Sequence, residues 1–178
     1  MAYAQGNQKV SHYLQSKGFA TNRIAGQFEF FAKHTSGTHY LIKPPDKDNA
    51  TRGDLLFLQN PSNTGQNTGH VAIVSSTRIL NLKNGGFSLF VYTTNAGVTS
   101  DPAKESNTFG EAVYTFEKLK DGNYRLANKL VNNMDNNTWK SKDMTSENLY
   151  LQGFGRVDEK QIVKPKKSTE RKTSKTEE

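Results

Sequence analysis

Cysteine is absent from the chain. That absence excludes a disulfide framework, a thiolate zinc site and a thiol nucleophile. Long apolar runs are missing too. None approaches the roughly 18–20 residues that a membrane helix requires, so no membrane span is expected. The opening residues, MAYAQGNQKV, lack the basic-then-apolar profile of a secretory signal. Histidine is scarce at four copies. His12, His34 and His39 fall in helical or loop settings without metal-ligand spacing, so neither a metal nor another cofactor is expected. No stripe of Lys/Arg interleaved with exposed aromatics is visible outside the last twenty or so residues, which argues against a nucleic-acid partner.

What remains is ample for one domain. The 178 residues include 10 Phe, 7 Tyr and 1 Trp, enough aromatics to anchor a core. Net charge is +7, and residues 157–178 carry seven Lys/Arg against five Asp/Glu. A basic surface of this kind suits the acidic polymers of a cell wall or another anionic surface, or is simply solvated.

Residues 7–17 place Val10, Tyr13, Leu14 and Lys17 at helical spacing, with Gly18 as a stop. A second helix is expected from Asn22 to about His34, with Ile24, Phe28, Phe31 and Ala32 on one face. The polar connection KPPDKDNATRG follows, its paired prolines forbidding helix. After Gly53 the period becomes strand-like. Expected strands are Leu55–Gln59, His70–Ser76, Ile79–Leu82, Phe87–Thr93, Ala112–Glu117, Asn123–Leu126 and Leu149–Val157, with NGG and Asp121-Gly122 as turns. Residues 128–148, rich in Asn and Lys, are expected to form a long insertion or a surface helix. Helices first and an antiparallel sheet afterwards predict an α+β domain over residues 1–157. Residues 158–178 have almost nothing apolar to bury and are expected to be a disordered charged tail.

One pair of segments carries chemistry: Gly53-Asp54-Leu55-Leu56-Phe57 and, about 16 residues on, Gly69-His70-Val71-Ala72-Ile73-Val74. Preceded by two helices, this order resembles the papain-like cell-wall hydrolases, the CHAP amidohydrolase/peptidase family and its NlpC-type relatives, over roughly residues 6–95. The resemblance implies N-terminal helices packed on an antiparallel sheet. It also implies a cysteine nucleophile at the N-terminus of the first helix, where the helix dipole favours thiolate. His70 matches the family's histidine base, and Asn95 its orienting residue, with Thr93 in reserve. In the family pattern C-x-x-x-V-x-x-x-L, Val10 and Leu14 point back to Gly6, so glycine stands where the nucleophile belongs; Ala2 and Ala4 are the alternative registers. The chain therefore reads either as an inactivated peptidoglycan amidase or endopeptidase, or as a non-catalytic module binding cell-wall fragments or a protein partner. The expected ligand is a peptidoglycan peptide, with an inhibitor or immunity protein as a further candidate. The expected place of action is the cell wall, the periplasm or the outside of the cell.

Two further motifs have plain readings. Arg52-Gly53-Asp54 spells the integrin tripeptide, but a turn followed by a strand explains it more simply. Glu147–Gly153, ENLYLQG, resembles a viral protease site, either as an engineered insertion or as the start of a genuine strand.

Overall fold

The computed structural model describes residues 8–19, 24–44, 49–63, 69–94, 96–98, 108–133 and 135–162. Among the described residues two nine-residue helices come first, α1 (Gln8–Ser16) and α2 (Ile24–Ala32). Nine strands follow: β1 (His39–Ile42), β2 (Leu55–Gln59), β3 (Gly69–Asn81), β4 (Phe87–Thr94), β5 (Gly97–Val98), β6 (Phe109–Lys118), β7 (Tyr124–Asn133), β8 (Thr138–Asp143) and β9 (Tyr150–Val157). All belong to one sheet in the order β1-β9-β2-β3-β4-β6-β7-β5, with β8 also on β7.

The sheet closes on itself. Arg125 of β7 pairs with Tyr150 of β9, and the Leu126 N–H donates to the Leu149 carbonyl at 2.8 Å. The ring β9-β2-β3-β4-β6-β7 is therefore a six-stranded barrel, and closure removes two open sheet edges. Side chains alternate across its wall as the pleat requires. Leu56, Leu58, Ala72, Val74, Leu89, Val91, Tyr114, Phe116, Leu126 and Phe154 form one cluster, drawn from all six strands, that fills the interior. Leu55 and Phe57 face the other way and join Val10 and Leu14 of α1 and Phe31 of α2 outside the wall. Each such fully buried Leu or Phe contributes roughly 1.5–3 kcal/mol relative to exposure. Gly155 leaves the space the Phe31 and Phe57 rings occupy: a Cβ there would lie 2.8–2.9 Å from them.

The expected α+β, papain-like architecture is not what forms. The molecule is mostly antiparallel sheet, and its helices only cover part of one outer face. Three misplacements explain the difference. The stretch HYLI at residues 39–42, for which the sequence predicts no element, is β1 and pairs with residues 154–157 of β9. Residues 128–148, expected as an insertion or helix, are instead the second half of β7, strand β8 and a 3₁₀ turn at Thr145–Glu147. The separate strands at 70–76 and 79–82 are one strand, β3, with a register shift between Val74 and Ile79. A sheet that supplies its own core from six strands needs little from helices.

Tyr150–Val157 pairs with β1 on one side and β2 on the other, so ENLYLQG leads into an inner strand of the fold. Residues 158–162, expected within the charged tail, are part of the fold. Asp158 caps a 3₁₀ turn at Glu159–Gln161, accepting from the Lys160 N–H at 3.0 Å, and Ile162 packs on the outer cluster. The remainder of that segment lies outside the described residues.

Candidate functional site

The two motif segments are neighbours, with Leu58 of β2 opposite His70 of β3. Gly69 is there because the strands approach closely: a Cβ at that position would fall on the Leu58 carbonyl oxygen. Gly53 holds φ +94°, a turn conformation that L side chains rarely adopt. Asp54 is buried and accepts from the Thr51 N–H at 2.8 Å. Arg156 of β9 also grips it, through Nε at 2.9 Å and Nη2 at 2.8 Å, and this pairing raises the guanidinium's pKa further. Asp54 is thus a fastening between β2 and β9. A carboxylate committed in this way is unavailable to an integrin.

His70 shares the interior-facing side of β3 with Ala72 and Val74. Its Nε2 lies 2.5 Å from Thr93 Oγ1 of β4. Thr93 Oγ1 is in turn 3.0 Å from Tyr114 Oη of β6 and 3.1 Å from the Thr94 carbonyl. Opposite Tyr114 stands Lys129 of β7, buried, with Nζ 5.6 Å from the centre of the Tyr114 ring. Four consecutive strands of the barrel each contribute one polar side chain to this cluster.

Hydrogen counting fixes its protons. A threonine hydroxyl donates once and accepts twice. If Thr93 donates to the Thr94 carbonyl, it accepts from Tyr114 O–H and from His70 Nε2–H, and every contact is used. His70 then keeps a lone pair on Nδ1. Burial, with Lys129 adding to it, lowers the His70 pKa to about 4, so the ring is neutral at pH 7. Burial pushes Tyr114 up to about 12, opposed by its bond to Thr93. The cluster therefore offers one neutral acceptor atom, held in orientation by two hydroxyls.

Of the expected site residues, His70 and Thr93 are brought together. Gly6, Ala2, Ala4 and Asn95 lie outside the described residues. The body of α1, however, packs on the outer face of the wall, whereas the His70 ring points inward. His12 lies in α1, His34 just beyond α2, and His39 begins β1. Tyr114 and Lys129 were not anticipated. Alternation would have flagged Tyr114, between Ala112 and Phe116 on one face, while Lys129 was hidden by reading its segment as an insertion. Among the described residues no group of three His, Asp or Glu side chains could hold a metal, and no helix is long and apolar enough to cross a membrane. No protein-family model, curated protein or solved structure matches the chain.

Proposed function

We propose that the chain is a non-catalytic module that binds peptidoglycan peptides at the cell wall, with His70 Nδ1 accepting a hydrogen bond from a ligand N–H. The observation that carries this reading is the His70–Thr93–Tyr114 chain of contacts. It spends two buried hydroxyls on fixing one imidazole, in a chain that has no thiol for that imidazole to activate. Fixing an acceptor beforehand lowers the entropy cost of capturing a donor. The basic net charge favours association with an acidic wall.

The test is calorimetric titration of the chain with soluble muropeptides, alongside chromatography of the products. Saturable binding without cleavage is expected, weakened about tenfold in His70→Phe, which removes both ring nitrogens. Cleavage by the unaltered chain, or no binding to any peptidoglycan type, would sink the proposal.

One observation favours the second reading, a peptidoglycan hydrolase that has lost its cysteine. A neutral histidine tethered at Nε2, with its lone pair on Nδ1, has the protonation state of a general base. Gly6→Cys separates the two readings: the hydrolase gains activity that disappears again in a Gly6→Cys/His70→Ala double variant, while the binding module stays inert.

A further inference from the structure

A second polar feature lies outside the barrel, where the two helices meet the first strand. A cavity of about 310 Å³ there is lined by Lys17, Glu29, Phe30, Lys33, His34 and His39, among others. His39 is buried, yet its Nε2 has no hydrogen-bond partner. Its other nitrogen, Nδ1, lies 2.5 Å from Tyr13 Oη of α1. The Phe30 ring stacks on it at 4.4 Å and 17°, and the His34 ring covers it at 3.8 Å and 56°.

The protons can again be placed. If the tyrosine hydroxyl donates to Nδ1, the His39 proton sits on Nε2 and is an unsatisfied buried donor. Leaving such a donor unpaired costs about 1–3 kcal/mol, so an acceptor that reaches it is favoured by that amount. His34 does not serve, because its Nδ1 faces the Phe30 carbonyl at 3.0 Å and its ring lies over the His39 ring. A shared metal does not fit either. Two imidazoles bound to one ion at about 2.0–2.1 Å have centres roughly 5 Å or more apart, well beyond 3.8 Å. The charges lining the cavity are two lysines against one glutamate.

We propose that this cavity binds a small oxyanion, a carboxylate or a phosphate, that accepts from His39 Nε2–H and is balanced by Lys17 and Lys33. The exposed His34 side chain turns aside to admit it, and Phe30 supplies an apolar wall for whatever the anionic group is attached to. A bound anion favours the protonated imidazole, so affinity rises as the pH falls below 7, until the anion itself takes up a proton. The charged and titratable groups around His39 are Tyr13 of α1 and Lys17 just after it, Glu29, Lys33 and His34 of α2 or just after it, and Asp158 beside its strand partner Val157.

The experiment follows the imidazole resonances of the full-length chain by NMR while inorganic phosphate, or separately acetate, replaces chloride at constant ionic strength. A saturable shift at His39, with His70 unmoved, is expected for at least one anion, and which one responds names the group recognised. Affinity should fall about tenfold in Lys17→Met/Lys33→Met, whose positions are exposed and whose fold His70 reports. Two results would overturn the proposal: no saturable His39 shift by roughly 100 mM of either anion, or unchanged affinity in the double variant.

Discussion

Thr93 is the residue on which the barrel cluster turns. Its hydroxyl serves His70, Tyr114 and the Thr94 carbonyl at once, whereas Tyr114 contributes a single bond. Thr93→Val keeps the volume but leaves His70 Nε2 and the Tyr114 hydroxyl without their partner, at a cost of about 1–3 kcal/mol. Tyr114→Phe leaves only one acceptor site of Thr93 unused and costs about 1 kcal/mol. Urea denaturation should rank the two in that order, and a larger loss for Tyr114→Phe would contradict the proton arrangement. Part of this was legible in the sequence. Positions 70, 72 and 74 share one face of a strand, as do 89, 91 and 93, so a threonine facing the histidine was a readable alternative to Asn95. The roles of Tyr114 and Lys129 were not readable, because they depend on which strands become neighbours around the ring.

At the scale of elements, the reading succeeded where local chemistry decides. Leu55–Gln59 was read with the bounds it has, the expected strand at Phe87–Thr93 runs one residue further, to Thr94, and α1 and α2 fall inside the expected helices. It failed where pairing decides. HYLI is a four-residue stretch whose strand character comes from its partner, β9, more than a hundred residues later. Residues 138–143 are exposed along their whole length and carry no hydrophobic alternation, so only hydrogen bonds to β7 make them a strand. The β2–β3 pair yields a prediction of its own. Gly69→Ala drives a methyl group into the Leu58 carbonyl, and a backbone atom cannot swing away. The variant should lose about 1–3 kcal/mol and displace the neighbouring His70. Thermal unfolding measures the first effect and the His70 resonance the second. Wild-type stability would show that the strands are less closely apposed.

For the whole molecule, the fold class was misjudged because closure of the barrel leaves no local trace. An open sheet must borrow a core from helices, whereas a closed one makes its own. Two histidines are buried in neutral form, His70 inside the barrel wall and His39 beneath the helices outside it, and together they set an acid limit on stability. His39 and His70 are both lowered to about 4, His39 by burial with His34 and Lys17 adding to it. Unfolded, each has a pKa near 6.5, so between those values the unfolded chain binds more protons than the folded one. Stability is therefore greatest above about pH 6.5, declines as the pH falls toward 4, and stops responding to these two groups below that. The melting temperature should follow this course, with His70→Gln flattening part of the slope. A melting temperature that held steady from pH 7 to pH 4 would contradict the neutral burial of both rings.

The ring is not equally strong all the way round. Five of its six joints are ladders of several residues, but β7 meets β9 through a single residue pair beside one further backbone bond. A hoop fastened at one narrow point yields there first. Hydrogen exchange should find the amide of Leu126 released before those of β3 and β4, and any transient opening of the molecule would part this seam. Through such an opening the polar cluster inside the wall, which includes Tyr114 and Lys129 on the β6–β7 side, would be reached from the flank.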